Sequence, residues 1–123
     1  MVDAPFLRLG GGKFFYFKED SSTMPKSERS ILNAIVAFIR SEGGTFDTWY
    51  SGITSDIQSR LFGDHGVPEK DHWYIYRKAE SLASAKKIEL ALILKYGTDG
   101  DPGGGDVDTN FVYSYKKTSV TNP

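Results

Sequence analysis

The residues of this chain that could do chemistry cluster around one short run. Trp49-Tyr50-Ser51-Gly52-Ile53-Thr54 reads as a strand with a sharp exit, Arg60 follows Gly52 by eight residues, His65 lies just beyond, and Glu89 interrupts the apolar series Ile88, Leu90, Ala91, Leu92, Ile93 and Leu94. A guanidinium offers a planar fork of donors that matches phosphate oxygens. A carboxylate set among apolar neighbours is costly to leave unpaired and asks for a cation or a metal. A tyrosine hydroxyl such as that of Tyr50 positions or deprotonates water when neighbouring charge lowers its pKa, and His65 can share the proton transfer. Together these types suit phosphodiester hydrolysis. Each also has an ordinary explanation. Tyr50 can be a core or rim aromatic, Glu89 can occupy an exposed stripe, and His65 and His72 can be loop and strand-edge residues. Arg60 and Asp64, four apart on a helix, can be a surface ion pair worth roughly a few tenths of a kcal/mol.

Three other patterns carry less. Gly10-Gly11-Gly12-Lys13 fails the P-loop pattern at Phe14 and reads as a flexible lead-in. Asp99, Asp101, Asp106 and Asp108 lie among glycines but lack the EF-hand spacing with its closing glutamate, so they read as a solvated turn. Tyr74, Tyr76, Tyr113 and Tyr115 can stack on bases, although sheet packing alone accounts for aromatic strands.

The elements that must position these groups follow from periodicity. Residues 13–18, an aromatic run between glycines and Glu19-Asp20-Ser21-Ser22, read as a first strand. From about Pro25 to Arg40, Ile31, Leu32, Ile35, Phe38 and Ile39 recur at helical spacing, with Gly43-Gly44 as a stop. Phe46 to Ile53 reads as a strand, leading into a helix capped by Thr54 or Ser55 with Ile57 and Leu61 inward. His72 to Arg77 is the next strand. A long helix begins near Ser81 or Ser84, keeps Leu82, Ala85, Ile88 and Leu92 on one face, and stops at Gly97. After a Gly- and Asp-rich loop, Phe111 to Tyr115 alternates as a closing strand and the last residues read as a frayed end. The predicted order is β-α-β-α-β-α-β.

Composition narrows the function classes. The 123 residues suffice for one domain with its own core, and 39% hydrophobic against 25% charged residues is the balance of a globular protein. Cysteine is absent, which excludes disulfides, thiolate metal sites and cysteine catalysis. No apolar stretch approaches the ~18 residues of a membrane span, and Met1 to Pro5 lacks a signal-peptide pattern, so no membrane partner and a cytoplasmic location are expected. With 15 basic and 16 acidic residues the molecule has no general attraction for phosphates. Nucleic-acid binding must rest on a local site.

The residues around Gly52 carry a family resemblance. Tyr50-Ser51-Gly52 leaving a strand, Ile53-Thr54-Ser55-Asp56, a helix bearing Arg60-Leu61, and a later helix with Ala85-Lys86-Lys87-Ile88-Glu89 resemble the central and C-terminal part of the GIY-YIG nuclease family, over about residues 46–96. The resemblance implies a small, largely antiparallel sheet in which the second half-motif ends a strand. It also implies that the arginine of the next helix binds the scissile phosphate and that a glutamate of a later helix holds one divalent metal, Mg2+ or Mn2+. By matching position, Tyr50 corresponds to the tyrosine of the second half-motif, Arg60 to the phosphate-binding arginine and Glu89 to the metal ligand, while Asn110 stands for a late substrate-binding asparagine. The family's first half-motif supplies the tyrosine most often assigned to activating water. Where it would fall, this chain has the helix ending Ala37-Phe38-Ile39-Arg40, and Tyr16 in the first strand is the nearest candidate.

The expected architecture is therefore α/β, a small mixed, largely antiparallel sheet flanked by three helices, in a single domain spanning 1–123. Its GIY-YIG-like core covers about 46–116, with the strand and helix of 13–42 as an addition or as the displaced first half-motif. The expected activity is an endonuclease hydrolysing DNA phosphodiesters with one divalent metal, through Tyr50, Arg60, His65, Tyr16 and Glu89. The alternative is a catalytically inactive relative serving as a nucleic-acid or protein interaction module. A domain this small with little basic surface also suits a homo-oligomer or a partner protein for targeting.

Overall fold

The computed structural model describes residues 24–106 and 108–123. The predicted first strand, and Tyr16 with it, lies outside the described residues. Helix α1, Lys26–Ser41, follows Pro25 and turns Ile35, Val36 and Ile39 into the core, as the helical spacing of its apolar residues requires. It gives way at Gly43 and Gly44.

The next strand starts later than its composition suggests. The Thr48 N–H and hydroxyl both donate to the Thr45 carbonyl, at 3.0 and 2.6 Å, and close a 3-10 turn over Phe46–Thr48. A local side-chain bond to the backbone has displaced strand pairing. Strand β1 is therefore Trp49–Thr54.

Helix α2, Gln58–Asp64, is held at its start by Asp56 rather than by Thr54 or Ser55 directly. Asp56 Oδ1 accepts from the Ser59 N–H at 3.2 Å, and Thr54 Oγ1 accepts from the Asp56 N–H at 3.0 Å. Its winding is wide, with the His65 N–H reaching back to the Arg60 carbonyl at 2.9 Å, the five-residue step of a π-turn. Strand β2 is Tyr74–Lys78. It begins past His72, whose Nε2–H donates to the Lys116 carbonyl at 2.9 Å.

Helix α3, Leu82–Leu90, is capped by the Ser81 hydroxyl and continues as a wider turn through Ala91–Tyr96. It stops at Gly97, whose φ of 94° is costly for any residue with a Cβ. The loop that follows contains strand β3, Asp99–Gly100, and β4 is Phe111–Lys116. Nothing in the periodicity marks a two-residue strand, so the described order is α-β-α-β-α-β-β, with β3 added.

The four strands of the described residues form one mixed sheet in the order β2-β4-β1-β3. β4 runs antiparallel to both β1 and β2, and β3 lies parallel to β1. Among the described residues the fold class is the expected one, a small mixed, largely antiparallel sheet with three helices. Because strand side chains alternate between faces, one face carries Trp49, Val112 and Ile75, which join Ile35, Val36 and Ile39 of α1 and Ile88 and Leu92 of α3. Burying each of these aliphatic side chains stabilises the fold by about 1.5–3 kcal/mol. Glu28 ties α1 to α3, accepting from the Ser84 hydroxyl with Lys87 Nζ 3.9 Å away. The other face carries Tyr50, Tyr113 and Tyr115 and is covered by Ile57, Leu61 and Val67. No helix among the described residues is long and apolar enough to cross a membrane.

Candidate functional site

Register builds the site. Gly52 on β1 is paired with Tyr113 on β4, and Tyr50 with Tyr115. The Tyr113 ring lies across Gly52 so closely that a Cβ there would fall 2.5 Å from the Tyr113 hydroxyl oxygen and 2.7 Å from the carbon bearing it. Glycine in the Tyr50-Ser51-Gly52 run is what lets a tyrosine from the neighbouring strand cross β1 toward α2.

The Tyr113 hydroxyl meets two groups there. His65 Nε2 is 2.7 Å away, and the Arg60 guanidinium lies within electrostatic reach of it. The wide turn of α2 makes this convergence possible, since the five-residue step from Arg60 to His65 stacks one above the other. His65 does lie in the bend just past α2, as its glycine neighbours suggest, but it is buried, 3% exposed and packed against the rings of Tyr50, Tyr113 and Tyr115. Its Nδ1 faces the Asn122 carbonyl at 2.7 Å and the Tyr115 hydroxyl at 3.0 Å. A carbonyl only accepts, so Nδ1 carries the proton and Nε2 accepts from Tyr113. Burial lowers the His65 pKa, opposed by the Asn122 carbonyl, and Arg60 lowers it further. The C-terminal residues are likewise not frayed, because the Asn122 N–H also donates to the His65 carbonyl at 2.7 Å.

A cleft of about 490 Å³ opens beside this assembly. Tyr50, Arg60, Asp64 and His65 form one side, and Asp99, Asp101 and Asn122 contribute to the rest. Arg60 reaches Asp64 Oδ2 at 3.2 Å, with the two side chains 44% and 60% exposed. The expected surface ion pair is thus present, and the cation stands at the rim of the cleft. Tyr50 is 7% exposed. Burial raises its pKa, Arg60 opposes that, and Asp101, Asp99 and Glu89 add to it.

Glu89 is 2% exposed and its Oε1 has no hydrogen-bond partner. Burial is the main reason its pKa is raised to about 7; Lys86 and the nearby Gly103 main chain oppose the rise, and Asp101 adds to it. Glu89 is not on the cleft wall, but its charge is felt by both Tyr50 and Tyr113. An orphaned, buried carboxylate oxygen fits a cation. Among the described residues no three His, Cys, Asp or Glu gather as metal ligands, so any metal here would take few protein ligands and keep its waters, the habit of Mg2+.

The remaining candidates fall elsewhere. Asn110 is not on the cleft wall, and its carbonyl accepts from the Ala79 N–H at 2.7 Å. Asp106 Oδ1 is used by the Asp108 N–H and the Thr109 hydroxyl, which makes that stretch a self-bonded turn. Tyr113, Tyr115, Asp101 and Asn122 were not singled out as site residues by the sequence. The alternation of Tyr113 and Tyr115 marked them as one face of a strand, but only the β1–β4 register places that face opposite Tyr50 and Gly52.

Fold and cleft together define a small α/β protein with an exposed arginine, a buried carboxylate and a tyrosine–histidine cluster on one face of its sheet. Comparison of the chain with protein-family models, with curated proteins and with solved structures finds no match.

Proposed function

We propose that this chain is a GIY-YIG-like endonuclease that hydrolyses DNA phosphodiester bonds with one divalent metal in the cytoplasm. The observation that carries the reading is the grouping of Arg60 and Tyr50 on one cleft, within electrostatic reach of a buried carboxylate that has an unpartnered oxygen. These residue types were proposed for phosphoryl chemistry from the sequence, where nothing yet joined them in space.

Each group has a role the chemistry defines. Arg60, already at the cleft rim, exchanges Asp64 for a phosphate and meets the charge that develops on its equatorial oxygens. Glu89, with Asp101 nearby in charge, would hold Mg2+ or Mn2+, which supplies Lewis-acid stabilisation of the leaving oxygen. Tyr50 orients the attacking water from the cleft wall, and His65 supports the tyrosines behind it. The near-neutral chain gives little long-range attraction for DNA, so a second subunit or a partner protein supplies targeting.

The test is nicking of supercoiled plasmid with Mg2+ or Mn2+ by the native chain, Arg60→Ala and Glu89→Ala. The native chain should nick, and each variant should lose about 100-fold or more, the scale of a lost transition-state contact. Equal behaviour of all three proteins would sink the proposal. It would favour the second reading, a non-catalytic interaction module, to which the net charge of −1 lends support.

A further inference from the structure

Tyr113 is 1% exposed, too deep to touch a substrate, yet its hydroxyl bonds His65 and lies within electrostatic reach of Arg60. We infer that Tyr113, His65 and the main-chain carbonyl of Asn122 form a one-way chain of hydrogen bonds that holds the Arg60 guanidinium in its cleft-facing pose. Tyr113 and His65 are then positioning residues for phosphate binding. The phosphate in this inference rests on the nuclease reading above, whereas the chain itself rests on geometry.

The direction of the chain follows from donors and acceptors. A guanidinium only donates, so all that the Tyr113 oxygen can offer the Arg60 beside it is a lone pair. That leaves the Tyr113 O–H to donate to His65 Nε2 at 2.7 Å, and the His65 Nδ1–H to donate to the Asn122 carbonyl at 2.7 Å. The Tyr115 hydroxyl, 3.0 Å from Nδ1, shares that last proton as an acceptor. While the ring is neutral each link has one polarity, because the Asn122 carbonyl can only accept. Without the carbonyl the ring could change tautomer and the hydroxyl could rotate.

A proton added to His65 breaks this order. Nε2 would then donate to the Tyr113 oxygen, and the Tyr113 O–H, with its acceptor gone, would swing toward the Arg60 donors and release them. The groups facing His65 set where this happens. Arg60 and Asp64 come from α2, Tyr50 from β1, Tyr113 and Tyr115 from β4, and the Asn122 carbonyl from the C-terminal segment. Burial and Arg60 together keep the ring neutral to below the ordinary histidine range, with Asp64 and the carbonyl opposing.

The experiment is nitrogen NMR of the full chain together with plasmid nicking across pH. In the native protein, His65 should show a protonated Nδ1 and an unprotonated, hydrogen-bonded Nε2, and the Arg60 guanidinium should rotate slowly. Tyr113→Phe should shift the Nε2 signal, free Arg60 to rotate, and lower nicking by about 10- to 100-fold with the loss mostly in KM. His65→Gln should remove the acid limb of the nicking profile, which a merely structural role would leave in place. Tyr76→Phe, on the exposed edge of β2, should change neither readout. A proton on Nε2 at neutral pH, or an Arg60 equally restrained in a folded Tyr113→Phe variant, overturns the inference. If the native chain never nicks DNA while Arg60 and His65 behave as described, the nuclease reading falls and the positioning chain is upheld.

Discussion

At the scale of single residues, the site depends on one absent side chain and one charge in the wrong solvent. Gly52→Ala puts a methyl where the Tyr113 hydroxyl now lies, so the ring must leave or β1 and β4 must part. The variant should lose about 1–3 kcal/mol of stability in urea denaturation, the usual cost of overpacking, and most of any nicking activity with it. Glu89 titrates near 7 in the fold against 4.5 when unfolded. The folded state therefore binds the proton more tightly, and the stability this brings is complete below about 4.5 and lost as pH rises through about 7. At pH 8 Glu89→Gln should be more stable than the native chain, by on the order of 3 kcal/mol at most, while failing to nick. A denaturation series at pH 5 and pH 8 checks it: a gain that does not grow with pH would show that the carboxylate is not strained by burial.

At the scale of elements, the β1–β4 pairing carries both the core and the site. Its middle holds a buried hydroxyl pair, Ser51 Oγ to Ser114 Oγ at 2.7 Å. Ser51→Ala leaves the Ser114 hydroxyl without its partner and should cost about 1–2 kcal/mol, whereas adding Ser114→Ala should recover part of that loss. A double-mutant cycle in thermal melts measures the coupling, and strictly additive losses would deny it. This pairing is also where sequence reading stopped. The helices were legible because Ile31 to Ile39 and Leu82 to Leu92 repeat at helical spacing, and the ends at Gly43 and Gly97 follow from backbone freedom. Arg60 and Glu89 were legible by type, since a carboxylate amid Ile88, Leu90 and Leu92 is conspicuous. Tyr113 was not, because its value lies in the strand it faces, and register is set by tertiary packing. The burial of His65 was not legible for the same reason: its flanking glycines describe the bend it occupies, while its burial comes from Tyr50, Tyr113 and Tyr115.

At the scale of the whole molecule, charge sets the terms of any DNA encounter. A net charge of −1 leaves Arg60 as the main cation on the cleft wall. Binding of a duplex oligonucleotide should therefore weaken only gently with salt, with a log–log slope of about −1 to −2, equivalent to one or two phosphates. Filter binding between low and moderate salt measures it, and a slope several times steeper would point to a basic surface elsewhere. The pH response is likewise a sum of opposites: below the ordinary histidine value of 6.5 the unfolded His65 takes up its proton first and the fold weakens, while Glu89 strengthens it over the same range. The contact of Asn122 with His65 has a further consequence for how mutations read out. Both of its bonds use the backbone, so Asn122→Ala should pass unnoticed in any scan of side chains. Asn122→Pro, which removes the N–H bonded to the His65 carbonyl, should instead loosen Arg60 as Tyr113→Phe does. A position that tolerates nearly every residue can still govern the site, provided the chain runs through it in the same path.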